Sequence, residues 1–532
     1  MLDFYNENAI HYFHSIKLSE ILKSFNCIKM LLSKKELDKI NSEVEKPKKN
    51  LFELPEKVLQ FGTGVLLRAL PDYYIDKANK QGIFNGRIVV VKSTSTGTAD
   101  DFDNQDSLYT ICVKGIANGI NIEKNIINAS ISRVLNARSN WKEILKCAHN
   151  LEMKIIISNT TELGIEFVED DDIESLPPVS FPAKLLAFLY ERYKAFNGTA
   201  ESGMVIIPTE LITNNGKILE KIIYQLADIN KLEDSFIFWS KKYNTFCNSL
   251  VDRIVSGKPN AAEMINVNQK LGYTDHLYCE TELFSLWAIE ADEKVRNVLS
   301  FAQCNDGMVI QPDINLFREL KLRLLNATHT FNCGIAFLSG FNLTRESVLD
   351  NSYALFVKNL MQEEIEPAIP FEIDQKLKRN YGDNVFERFS NPYINHRWIS
   401  ITTQFTSKIK MRCIPLIIEY YKLFQKPPIA MAAGFAGYLL FMKSVKFEDE
   451  KYYGELNGAL YPIVDEHAAY FFDLWNSDPA STLVANVLSN KKLWGEDLKE
   501  IPGFEFAVIL FLKNMIQEGV FAAIASVGIE KI

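Results

Sequence analysis

From Glu56 onward, short apolar runs bounded by turn residues alternate with longer stretches in which apolar positions recur every three or four residues. The runs KVLQFG (57–62), GRIVVVKS (86–93), LYTICVKGI (108–116), MKIIISNT (153–160) and GMVIIPTE (203–210) read as strands. Several are apolar throughout, as parallel strands buried on both faces tend to be. FPAKLLAFLYERYKAF (181–196) carries helical periodicity between two of them. This alternation predicts a doubly wound α/β domain. Beyond about Asn260 strand signals thin out, and stretches such as INLFRELKLRLLNATHTFNCGIAFLSG repeat with a helical period. The expected architecture is an α/β, Rossmann-like N-terminal domain followed by a mainly α-helical C-terminal domain. The expected boundaries are a charged extension and linker over 1–50, a dinucleotide-binding domain over 51–262 and a helical substrate domain over 263–532.

Composition narrows the function. A chain of 532 residues exceeds one ordinary core, which agrees with two domains. Its net charge of -9 leaves no basic excess to neutralise a phosphate backbone, so nucleic-acid binding is not expected. A small anionic substrate needs only a local basic pocket. The eight cysteines show no CxxC pair and no metal-ligand spacing, so they read as reduced core thiols of a cytoplasmic protein without a metal site. No apolar run reaches the ~18–20 residues of a membrane span, and the N-terminus lacks a basic stretch followed by an apolar one.

Three stretches carry candidate chemistry. In VLQFGTGVLLRAL, Gly62 and Gly64 fall between the first strand and a helix, where bare backbone can approach a pyrophosphate. The third glycine of GxGxxG is replaced by Leu67, so a plain strand–helix turn is the competing reading. In IIISNTTELGI (155–165) a later strand runs into Asn159, Thr160, Thr161 and Glu162, at the sheet edge where open α/β sheets bind ligands; a capped polar loop is the alternative. In ELKLRLLNATHT (319–330), Lys321, Asn326 and His329 sit beside leucines. On an α-helical wheel His329 lies about 80° and Asn326 about 140° from Lys321, so the three are either ordinary surface residues or converge through the long lysine. A lysine desolvated among leucines can exchange a proton near neutrality, and an amide can polarise a carbonyl.

The spacing K-x4-N-x2-H in KLRLLNATH resembles the signature of the polyol-specific long-chain dehydrogenases, the mannitol dehydrogenase family. FGTGVLLRA is similar to that family's GxGxxxR turn, and QDSLYT (105–110), TELG (161–164), NSLVDRI (248–254) and RFSNPYI (388–394) follow in the family's order. Within it, VLQFGTG, ISNTTELGI, FPAKLLAFLYERYKAFNG, FCNSLVDRIV and LWGEDL (493–498) look most like the members that reduce a keto-hexuronate. The resemblance implies metal-free, NAD-dependent reduction of D-tagaturonate to D-altronate, a step of hexuronate catabolism. It implies Lys321 as acid–base, Asn326 on the reacting oxygen and His329 on the substrate. Cofactor contacts are expected at Gly62, Thr63, Gly64, Arg68, Lys92, Ser93, Thr160 and Glu162, and substrate contacts at Asn248, Asp252, His396 and Lys408.

A uronate needs a cation, and TSKIKMRC (406–413) supplies Lys408, Lys410 and Arg412, with Lys408 the preferred partner. The family's mannitol enzymes carry Asp-Asn where this chain has Glu210-Leu211. Either Asn214 or Asn215 replaces the lost amide, or Asn326 acts alone. The second strand ends in Lys92 and Ser93 with no carboxylate before Asp100, which by itself would tolerate the 2′-phosphate of NADP. The resemblance favours NAD, so NAD with weak discrimination is the expectation. Reduction of D-fructuronate is the sister activity, and a catalytically silent dinucleotide sensor is an alternative of another class. Monomer and dimer are both open.

Overall fold

The computed structural model describes residues 30–93, 100–117, 119–160 and 164–525. Its organising element is a six-stranded, wholly parallel sheet with the order β5-β2-β1-β6-β7-β8. The strands are β1 (Glu56–Phe61), β2 (Arg87–Lys92), β5 (Ile131–Asn136), β6 (Ile155–Ser158), β7 (Val205–Pro208) and β8 (Thr245–Phe246). The order reverses between β1 and β6, which places the topological switch point directly beyond Phe61 and Ser158.

Period-two alternation decides which residues face which layer. Leu59, Phe61, Val89, Val91 and Ile156 pack against the helices Trp141–Cys147, Phe181–Ala195, Asn215–Ile229 and Asp234–Tyr243. Val58, Ile88, Val90, Ile155 and Ile157 face the helix Pro71–Lys80 and a layer containing Trp287 and Phe301. Both faces are covered, which is why all six residues of β2 are buried. Each such Val or Ile side chain adds about 1.5–3 kcal/mol.

LYTICVKGI does form a strand, β3 (Tyr109–Ala117), but outside the parallel sheet. It pairs antiparallel with β4 (Ile120–Asn128) and parallel with β11 (Cys279–Glu282), and β10 (Val255–Gly257) completes that sheet. A third sheet joins β9 (Ser249–Asp252), β12 (Leu286–Glu290) and β13 (Met308–Gln311). Strands thus continue well past Asn260, to β13 ending at Gln311, before the helices that begin at Asn315. The late strands are short and take their partners from distant β3 and β9, a pairing that local periodicity does not reveal. The expected linker is also packed. Leu32, Leu37, Ile40 and Val44 are buried against Leu108, Ile127, Leu271 and Tyr273, and Glu45 bridges to Ile126. Residues 1–29 lie outside the described residues.

From Asn315 onward the chain is helical apart from a hairpin sheet of β14 (Lys446–Glu448), β15 (Lys451–Leu456) and β16 (Ala459–Ile463). The helix Thr328–Leu338 crosses Ile429–Phe441 at close range. A Cβ at Gly334 would lie 2.9 Å from the Gly437 carbonyl oxygen, and one at Gly437 would lie 2.4 Å from Ile335 Cγ1. Two π-helical segments, Lys321–Ala327 and Ile409–Cys413, pack against each other beside this crossing. No helix among the described residues is long and apolar enough to cross a membrane.

Candidate active site

The turn after β1 is built around Gly62, whose φ of 121° is open to glycine and strained for other residues. A Cβ there would lie 2.8 Å from both the Asn159 carbonyl oxygen and Leu67 Cδ1. Leu67, in the place of the missing third glycine, therefore packs under the turn. Gly64 begins the helix Val65–Ala69, and a Cβ on it would meet nothing within 4 Å. The Gly62–Gly64 backbone is thus bare at the switch point, with Thr63 half-buried between the glycines. Arg68 does not face this opening. Its guanidinium is buried, donates to the carbonyls of Thr63 and Leu277, and lies over the Tyr109 ring. It braces the turn from behind.

Lys92 ends β2 and is buried. Ser93 follows, and its buried Oγ has no hydrogen-bond partner among the described residues. Thr160, beyond β6, gives its backbone N–H and hydroxyl to Glu210 Oε1 at 2.9 and 3.0 Å. Glu162 lies outside the described residues.

Lys321 and Asn326 line one cavity of about 370 Å³ with Glu210, Val251, Arg318 and Arg412. The wheel that set them 140° apart assumed α-helical geometry. In the π-helical segment Lys321–Ala327, hydrogen bonds run from i to i+5, so residues five apart stack on one face. Lys321 Nζ donates to the Val251 carbonyl at 2.8 Å and stands 3.9 Å from Asp252 Oδ1. Burial pulls its pKa below the ordinary lysine range; Asp252 opposes that shift, and Arg388 and Arg412 add to it.

His329 is buried beside this cavity but is not among its lining residues. Its ring stacks on Phe389 at 4.3 Å and meets His396 edge-on at 5.1 Å. Burial first, then His396 and the nearby arginines, push its pKa far down, so the ring is neutral. Its Nε2 is buried without a hydrogen-bond partner among the described residues. His396 lines a neighbouring cavity of about 530 Å³ with Ser256, Lys258, Glu280 and Tyr393.

Asp252 is buried and is not among the residues lining the cavity. Arg388 grips it through Nη1 and Nη2 at 2.9 and 3.0 Å, and Tyr381 donates to it at 3.1 Å. The same guanidinium reaches Glu282 through Nε and Nη2, both at 2.9 Å. Burial alone would raise Asp252, but Arg388 and Lys321 hold its carboxyl below the usual range. Asn248 is likewise buried and outside that lining. Its amide accepts from the Lys217 N–H and donates to Glu290, which ties down the helix Asn215–Ile229. Of the basic cluster, Lys408 donates to the Ile401 carbonyl at 2.7 Å, Lys410 is exposed, and Arg412 lines the cavity. Of the expected substrate contacts, Asn248, Asp252 and Lys408 are each engaged by the protein itself in this structure and are not among the residues lining the cavity.

Two family models match this chain: the mannitol dehydrogenase Rossmann domain over residues 56–301 and the mannitol dehydrogenase C-terminal domain over 313–515. The chain belongs to the mannitol dehydrogenase family. It is an oxidoreductase acting on CH–OH groups. An altronate oxidoreductase of Bacillus subtilis (strain 168) is 35% identical over 490 residues, covering 90% of this chain and 98% of that protein. One from Escherichia coli O139:H28 is 33% identical over 482 residues, covering 89% and 97%. Among solved structures, the ternary complex of Pseudomonas fluorescens mannitol 2-dehydrogenase with NAD and D-mannitol superposes with a TM-score of 0.66 at 21% identity, covering 94% of this chain and all of that one. A substrate-free D-sorbitol dehydrogenase superposes at 0.75 with 20% identity, covering 93% and 100%. These two share the fold.

The pair Glu210-Leu211 is expected to stand where the family's mannitol enzymes carry Asp-Asn. Leu211 is exposed, and Glu210 lines the cavity while accepting from Ser158 and Thr160. Neither candidate replacement reaches the cavity. Asn214 is an exposed left-handed residue, and the Asn215 amide holds the carbonyls of Pro208, Glu210 and Ser249. Asn326 is therefore the cavity's side-chain amide among the described residues. Sequence reasoning assigned no role to Arg318 or Arg388. Arg318 stands one turn before Lys321 in NLFRELK, and Arg388 opens RFSNPYI, so position relative to the motifs was the available signal.

Proposed function

We propose that this enzyme reduces D-tagaturonate to D-altronate, reversibly, with NAD(H), and that Lys321 is its acid–base. The observation that carries the reading is the presence of Lys321 and Asn326 in one cavity whose wall includes Glu210, the residue that also binds Thr160 at the sheet edge. The relatives named altronate oxidoreductase, matched along nearly their whole length, support the substrate. The bare turn at Gly62 and Gly64 and the unpartnered Ser93 hydroxyl fit a dinucleotide, which Thr63 and Thr160 would flank. When bound, the nicotinamide supplies or removes the hydride.

The chain's own residues handle the proton. The Lys321 ammonium donates it to the ketone oxygen as that oxygen gains charge, and the free amine takes it back in the oxidation. Burial lowers the cost of losing that proton. The Val251 carbonyl and Asp252 hold Nζ in place. Asn326 donates an amide hydrogen bond to the same oxygen, strongest when its negative charge is greatest. The neutral His329 ring keeps Nε2 for a substrate hydroxyl. Steady-state oxidation of NADH with D-tagaturonate, D-fructuronate and D-fructose tests the reading. The expected result is the highest kcat/KM for D-tagaturonate and an NADH to NADPH ratio above one. A higher value for D-fructuronate or D-fructose overturns the substrate, and a ratio well below one overturns the cofactor.

A further inference from the structure

We propose that Arg318 and Arg412 form the clamp that recognises the substrate's carboxylate and so select a keto-uronate over a neutral ketose; the inference rests on the function proposed above. Among the described residues, three cationic side chains, Arg318, Lys321 and Arg412, line the cavity of about 370 Å³ against one carboxylate, that of Glu210. Glu210 is already engaged by Ser158 and Thr160, and burial raises its pKa, which weakens it as a counter-ion. Asp252 serves Lys321 and is shared with Arg388.

The two arginines bond to neutral groups. Arg318 Nη1 donates to Asn315 Oδ1 at 2.5 Å, and Arg412 Nη1 donates to Thr330 Oγ1 at 3.2 Å. Both are half-buried. A partly desolvated guanidinium is stabilised most by an anion that takes two of its N–H groups at once, and a carboxylate has that geometry.

The placement suits a six-carbon keto acid. Arg318 precedes Lys321 by three residues on one helix, roughly 5 Å along the axis. That is comparable with the span from the reacting carbonyl carbon to a carboxylate four bonds away. Arg412 enters from the second π-helical segment, packed against the first. With Lys321 and Asn326 on the carbonyl, Arg318 and Arg412 are the remaining cationic side chains of the cavity lining, among the described residues, for the carboxylate end of the molecule. Lys408, the natural candidate from spacing, donates to the Ile401 carbonyl and is not among the residues lining this cavity.

The test compares D-tagaturonate with D-tagatose, which carries a hydroxymethyl group in place of the carboxylate. Initial rates with NADH are measured for the wild type and for Arg318→Gln and Arg412→Gln. Each substitution is expected to lower the ratio of kcat/KM, acid over ketose, roughly ten- to hundredfold, the range of one hydrogen bond to a charged group. Equal losses for both substrates, with the ratio unchanged, overturn the clamp. Arg318→Lys and Arg412→Lys provide a second pair should a glutamine variant fail to fold. They keep a point charge without the fork, so the ratio should fall less far, and a wild-type ratio in a soluble Lys variant overturns that residue's part. A wild-type enzyme that prefers D-tagatose refutes the proposed function itself, whatever the variants do. If the preferred acid is D-fructuronate, only the epimer changes, and the same variants are read with D-fructuronate and D-fructose.

Discussion

Replacing Asp252 by asparagine removes a negative charge 3.9 Å from Lys321 Nζ and changes little else in shape. At that distance the attraction is about 4 kcal/mol for an effective dielectric of ~20 and about 1 kcal/mol in bulk water. The cavity lies between those limits, so the pKa of Lys321 should fall by roughly 1 to 3 units. The sign is fixed by which form the charge favours. Asp252 stabilises the ammonium, and in its absence Arg388 presses the same way, since its charge already disfavours the ammonium. Reduction needs the ammonium, so its activity is lost as pH rises through the lysine's pKa; in the variant that basic limb should move to lower pH by the same amount. Oxidation needs the free amine, so its rise with pH should begin correspondingly earlier. The assay is kcat/KM against pH in both directions, with NADH binding by fluorescence as a check on folding. A basic limb that stays where the wild type has it would refute Lys321 as the titrating acid. Arg388 keeps its second partner, Glu282, in this variant, which limits the structural damage.

Lys321→Ala should lower kcat by about 10²–10⁴ while the dissociation constant of NADH, measured by fluorescence titration, stays close to the wild-type value. Gly62→Ala forces a side chain into a φ of 121° and onto the Asn159 carbonyl. It should cost at least about 1 kcal/mol of stability in chemical denaturation and weaken NADH binding. Arg388→Met takes the shared cation from the buried carboxylates of Asp252 and Glu282, leaving Asp252 with Lys321 at 3.9 Å, at a cost of about 3–5 kcal/mol read from the same unfolding curves. In the wild type, the part of the stability that comes from the depressed Asp252 carboxyl is complete above its unfolded-state pKa and is lost as pH falls through the lower folded-state value. Arg388→Met should therefore flatten the acid limb of the stability curve.

Local sequence was enough for most of the parallel sheet, because strands buried on both faces are apolar at most positions. Four of its six strands could be read directly from runs such as RIVVV and IIIS. It was also enough for the helical second half and for the motif K-x4-N-x2-H, whose residue types and spacing are one-dimensional facts. Strands β11 to β13 could not be read that way, since a four- or five-residue strand owes its existence to a partner far along the chain. The same limit explains the individual side chains. Asn248, Asp252, Arg68 and Lys408 are polar residues in or near the motifs, and nothing in their immediate neighbours says whether water, a ligand or another buried group will satisfy them. Folding answered by bringing Arg388 to Asp252, Glu290 to Asn248, Leu277 to Arg68 and Ile401 to Lys408. It left Arg318 and Arg412 facing the cavity without a carboxylate among the described residues. Even the convergence of Lys321 and Asn326 was decided in three dimensions. The same residues lie apart on an α-helix and together on the wider turn that the packing of Lys321–Ala327 against Ile409–Cys413 accompanies. Spacing along the chain names the groups a site will use, but burial and hydrogen-bond competition between distant segments determine which of them remain free to act.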